Sequence, residues 1–225
     1  MASGIPSFSS DRWRLPLLIA GLLIAAAGHP RGNSMLEMLS SPIWVRTHSM
    51  TLAGLVAMFC GLLLYSHSQS GMTGDVRRWT RFVIVATGLE VVEMVVHTLA
   101  VVDRDHLAAG AATPVLSVHL AMTVAIYPFF AISLIGFSVA SARTRAIGSW
   151  WLAPIGILGA TAHGLAALLV IVGGNKSVSF LFAGIALVGL WLILAALWPL
   201  PTRATSTLGS KYESRPTSRA CDHPW

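Results

Sequence analysis

Charge is what this sequence has least of. Only 11% of its 225 residues are Asp, Glu, Lys or Arg, against about 25% in a typical soluble domain. A soluble chain of this length could bury a core but could not cover its surface with so few charges. That excludes a soluble globular domain, a disordered chain and a coiled coil. Cysteine is scarce as well: the 2 present, Cys60 inside an apolar run and Cys221 near the end, make no disulfide framework. There is no Gly-rich phosphate loop, no Cys-x-x-Cys and no His-Glu-x-x-His. Lys and Arg outnumber Asp and Glu by 15 to 9. In a soluble protein that balance would suggest nucleic acid, whereas in a membrane protein the position of each charge carries the meaning. No nucleic-acid partner is expected.

What the sequence has in abundance is apolar length, with 55% of residues apolar and a mean hydropathy of +0.71. A helix needs about 20 predominantly apolar residues to cross a ~30 Å hydrocarbon core. Six runs approach or meet that requirement: 13–29, 48–66, 82–102, 115–139, 150–173 and 177–198. Loop-like breakers and charges separate them, such as Asp103-Arg104-Asp105-His106 and Gly173-Gly174-Asn175-Lys176. The runs lack the two-residue alternation of a barrel strand, so the expected fold is all-α, a polytopic integral membrane helical bundle of six transmembrane helices. Pro128 and Pro154 fall within runs and are expected to kink them. Gly54, Gly61, Gly136, Gly164 and Gly184 are expected to be close-packing positions between helices.

Orientation follows from the basic residues. Arg31, Arg46, Arg104 and Lys176 fall on one side and the remaining 11 of the 15 on the other, which puts both termini in the cytoplasm. Trp79, Trp150, Trp151 and Trp198 read as anchors near the cytoplasmic ends, and Trp44 lies near the outer end of the second run. The first run also fits a cleavable signal peptide, with Arg12 and Arg14 before a stretch ending Ala25-Ala26-Ala27-Gly28. Trp13 and the His29-Pro30 exit favour an uncleaved helix. Residues 1–200 then form a single transmembrane domain. Residues 201–225, rich in Ser, Thr, Pro and Arg, form a disordered basic cytoplasmic tail. The expected location is the plasma (inner) membrane of a prokaryote, with lipid as the surrounding partner.

Few ionisable groups remain inside the runs: His48, Glu90, Glu93, His97, His119 and His163. Such groups are costly in lipid and usually face a bundle interior, where they mark function. At 1.5 Å of rise per residue, His97 lies roughly 8 Å below the outer surface, Glu93 roughly 14 Å, His119 roughly 6 Å and His163 roughly 15 Å. His48 stands at the start of its run, at almost no depth. All but Glu90 fall in the outer half. Glu90, Glu93 and His97 are spaced i, i+3, i+7 and share one face of the third helix, while His119, Thr123 and Tyr127 form a matching stripe on the fourth. Met94 and Met122 each stand three residues from an imidazole.

Imidazoles gathered at one level from different helices point to a cofactor. Two readings arise. His97 and His119 could hold haem b between them, with His48 as a substitute. Alternatively His48, His97 and His119, with His163 also available, could bind a transition metal (Cu, Zn or Fe), Glu93 acting as a general base or orienting group. Either would do redox or catalytic work at the external face, with a membrane or external redox partner. A proton-coupled small transporter using Glu90, Glu93 and His163, and a non-catalytic assembly subunit, are the alternatives. His29, His67, His106 and His223 are loop or tail residues and are assigned no role. The first and sixth helices, free of ionisable groups in their spans, are expected at the periphery.

Overall fold

The computed structural model describes residues 11–30, 32, 34–68 and 74–198; the expected tail at 201–225 lies outside them. Of the described residues 84% are helical and none is in a strand. The chain order is α1 (Arg14–Ala27), a short α2 (Met35–Leu39), α3 (Trp44–Ser68), α4 (Gly74–Leu99) and, after a 3-10 turn at Ala100–Asp103, a short α5 (Arg104–Ala108). Then come α6 (Pro114–Thr144), α7 (Ala153–Ala167), which continues as a π turn through Leu168–Val172, and a 3-10 segment Lys176–Ala183 leading into α8 (Gly184–Leu197).

Five of these stretches are long and apolar enough to cross a membrane: Trp44–Ser68, Gly74–Ala108, Pro114–Thr144, Ala153–Val172 and Lys176–Leu197. They mark the chain as an integral membrane protein, since a helix pairs its own backbone groups and its apolar side chains can lie in lipid. The α1 helix has 14 residues and would rise only about 21 Å, so it is shorter than the others.

The long helices form a ring. Each packs against its neighbour in the order α1, α3, α4, α6, α7, α8, and α8 closes on α1. This differs from the expectation that the first and last helices stand at the periphery, and the reason lies in small residues. A Cβ on Gly21 of α1 would meet the carbonyl oxygen of Gly189 on α8 at 2.6 Å, so the two backbones touch where neither has a side chain. The five glycines expected at close crossings behave alike; a Cβ on Gly54 would meet Ile24 at 2.6 Å and one on Gly184 the Gly159 carbonyl at 2.6 Å. Arg14 adds a polar clasp at one end, donating to the carbonyl oxygens of Ala196 (2.9 Å) and Trp198 (2.7 Å), the last of which α8 leaves unpaired.

Inside the ring the half that holds the α1 N-terminus is mainly apolar, filled by Trp13, Leu17, Met58, Leu62, Phe130, Leu134 and Phe137, with the hydroxyls of Thr80, Ser138 and Ser141 buried there too. Tyr65 is buried among them. The opposite end is covered by a separate apolar cap of Leu39, Trp44, Ala100 and Leu116, against which Met35, Met38 and Leu107 pack. Asp103 ties this end together: it is buried, and its Oδ2 accepts from the Leu116 N–H at 2.8 Å, satisfying an orphan donor in the first turn of α6. Pro154 sits in the first turn of α7, not inside it. There a missing N–H costs nothing, so no kink arises. Pro128 does lie inside α6.

The close approach of α1 and α8 predicts a large effect from a small position. Gly189→Leu should destabilise the protein by about 1–3 kcal/mol through overpacking, seen as a lowered midpoint of thermal unfolding in detergent. An unchanged midpoint would show that these helices do not pack as described.

Candidate metal centre

The polar face of α4 meets the polar stripe of α6 next to the apolar cap. Glu93 is fully buried, and its Oε1 accepts from His119 Nδ1–H at 2.6 Å and lies 2.9 Å from the Thr123 hydroxyl. Thr123 Oγ1 is also 2.9 Å from the carbonyl oxygen of His119, so its one proton is offered to either acceptor. The other carboxylate oxygen, Oε2, lies 3.4 Å from the Tyr127 hydroxyl, its donor. Residues i, i+4 and i+8 of one helix thus address a single carboxylate from the next.

His97, one turn above Glu93 on α4, has its Nδ1 3.6 Å from Glu93 Oε1, too far for a hydrogen bond, and that nitrogen has no partner. Its ring lies against that of His119, with centroids 3.9 Å apart and planes tilted by 32°. Glu93, His97 and His119 together offer one ligand atom each, all within 4.8 Å of one another, and all three residues are buried. Such a group could hold a metal ion.

His48 joins the same stack from α3. Its ring centroid is 4.3 Å from that of His97, and Nδ1–H donates to the carbonyl oxygen of Trp44 at 2.7 Å. That bond sets the tautomer, leaving the lone pair on Nε2, which is buried and without a partner. The sequence reading placed His48 at almost no depth because its helix was started at 48. The helix begins at Trp44, a full turn earlier, just after Ser41-Pro42, a pairing that commonly opens helices. Trp44 is accordingly part of the helix: it is 2% exposed and covers His48 and His97 at ring distances of 4.1 and 5.3 Å.

His163 is not in this group. It lies beyond Tyr127, whose ring stacks on it at 4.1 Å, and its Nε2 is 3.7 Å from Glu90 Oε1. Met94 belongs to the apolar core and Met122 is half-buried. The donors gathered around Glu93 are therefore nitrogen and oxygen. Haem between His97 and His119 does not fit this arrangement, since an iron and its macrocycle must stand between two axial rings and these two are in contact. His29, given no role from sequence, has its ring 5.6 Å from that of His48 and Nδ1–H donated to the Pro30 carbonyl oxygen at 2.8 Å. Nothing local announces it; it reaches the stack only when α1 packs on α3.

A shallow cleft at the other end of the bundle, lined by Asp75, Arg78, Trp79, Gly136 and Arg143, is remote from this chemistry. No family model, curated protein or solved structure matches the chain.

Because Glu93 draws its hydrogen bonds from α6, Thr123→Val should leave the carboxylate short of a donor in a buried place. The expected loss is about 1–2 kcal/mol in metal-free protein, read from thermal unfolding. Equal stability of the isosteric variant would mean the hydroxyl serves only its own helix.

Proposed function

We propose that the protein is an integral membrane metalloprotein that binds a divalent transition ion in the outer half of its bundle and works at the external face. The observation that carries this reading is the buried Glu93, His97 and His119 group, with donor atoms within 4.8 Å. In the proposed topology α1 is a sixth, short span, both termini are cytoplasmic and the capped end faces outward. That choice rests on the uneven distribution of Lys and Arg, and it suits the plasma membrane of a prokaryote.

Two imidazoles and a carboxylate are a donor set that suits Zn or Fe and leaves a coordination position open. When His119 keeps its Nδ1–H on Glu93, it meets the ion through Nε2, with the carboxylate fixing the ring behind it. Direct ligation by Glu93 exchanges that hydrogen bond for a metal bond. His48 Nε2 stands ready beside His97, and Trp44 and the apolar cap exclude water from the stack. A bound ion would supply Lewis acidity or, as iron, one-electron chemistry for a substrate or redox partner arriving from outside. A proton-coupled transporter draws no equal support: transport needs a route to both sides, and the other half of the ring is filled mainly by apolar side chains and buries no Asp, Glu or His among the described residues.

Metal analysis of protein purified without chelator tests the reading. His97→Ala and His119→Ala should each lower bound metal at least tenfold, whereas His67→Ala and His106→Ala, both exposed, should leave it unchanged. Occupancy should fall on acidification, because a protonated imidazole cannot bind metal. A wild-type protein that binds no Zn, Fe or Cu would refute the proposal and leave the cluster as a fastening between helices.

A further inference from the structure

Glu90 and His163 take no part in the group around Glu93, yet they are only 1% and 4% exposed. Glu90 Oε1 and His163 Nε2 stand 3.7 Å apart, beyond hydrogen-bond length. Neither atom has a hydrogen-bond partner, and His163 Nδ1 has none either. A buried carboxylate oxygen and a buried imidazole that both lack a hydrogen bond are expensive and, facing each other at ion-pair distance, call for something between them.

Geometry discriminates among the bodies that could stand there. A shared proton needs a shorter approach. A water about 2.8 Å from each atom would hold them at an angle of roughly 83°, narrower than its hydrogen bonds prefer. A metal ion about 2.1 Å from each would see them roughly 125° apart, within the range of tetrahedral and five-coordinate sites. The outer group shows a similar gap: His97 Nδ1, also unpartnered, is 3.6 Å from Glu93 Oε1. Two carboxylates on one face of α4, one turn apart, thus each meet a free imidazole nitrogen across nearly the same distance. Glu93 lies between the two positions, with Oε1 toward His97 and His119 and Oε2 toward Tyr127, the residue stacked on His163.

We infer that Glu90 and His163 hold a second divalent transition-metal ion, about one helical turn deeper than the first, so that the centre is binuclear with Glu93 between its ions. The first ion is the one proposed above for Glu93, His97 and His119; the second depends on that reading only through Glu93. Each ion then meets one carboxylate, the charge balance of a zinc held by two histidines and a glutamate. With only two side-chain donors of its own the deeper position is the weaker.

Titration of full-length, detergent-purified protein with Co2+, with bound metal counted per chain, tests the inference. Wild type should take two ions. Glu90→Gln and His163→Gln should each take one, or bind the second at least tenfold more weakly, while His119→Ala loses the tighter one. Glu90→Gln removes a buried charge at constant shape, so it decides the matter if His163→Gln does not fold, as judged by helical circular dichroism. One ion in wild type that Glu90→Gln retains would overturn the second site and leave the outer centre standing. One ion in wild type that Glu90→Gln loses would place Glu90 in a single centre and overturn the binuclear arrangement. No ion in wild type would overturn both.

Discussion

The structure turns on the burial of Glu93. A carboxylate in the middle of an apolar bundle costs about 2.5–3.5 kcal/mol or more unless something answers it, and no Lys or Arg is its ion-pair partner among the described residues. Its ion pairs are with His97 and His119, and its hydrogen-bond donors come from His119, Thr123 and Tyr127. Those donors all belong to α6, so satisfying one side chain fixes the register of α4 against α6. His97 is carried into contact with His119 by the same register, and Trp44 then closes over the pair with His48 beneath it. A protein that needed only to hold two helices together could have used a leucine here.

Holding that register requires a ring that does not splay. The carboxylate face of α4 is hidden only if six helices surround a common interior, and the closing contact is the one between α1 and α8. Glycines let those two backbones touch, and Arg14 clasps the last carbonyls of α8. At the site end Asp103 caps α6 and so sets the height of His119 relative to His97. The polar centre and the apolar half below it therefore divide the labour: one half packs, and the other carries the chemistry.

Much of this was legible in the residues. A rise of about 1.5 Å per residue, applied to runs whose ends were uncertain by several residues, still put His97 and His119 at one level. The i, i+3, i+7 spacing identified the face on which Glu90, Glu93 and His97 lie together. The errors came from helix ends and from contacts that depend on ring closure. Starting α3 at His48 instead of Trp44 left His48 at the surface and Trp44 outside the helix, though Ser41-Pro42 carried the opposite signal. His163 was offered as a further ligand because its depth matches that of Glu93, but depth says nothing of angle, and Tyr127 stands between it and the other histidines. The pairing of α1 with α8 joins distant parts of the chain, and the approach of His29 to His48 depends on how α1 packs on α3; neither has a local signature.

A metal centre differs from a polar fastening in one respect that structure at the atomic level can register: the identity of the atoms around the ion. X-ray absorption spectroscopy of the zinc-loaded protein reads this directly. The account predicts a nitrogen and oxygen shell at about 2.0–2.1 Å, with the outer-shell scattering of imidazole rings. A shell of oxygen alone, without imidazole scattering, would mean that zinc binds elsewhere and would contradict the assignment of His97 and His119.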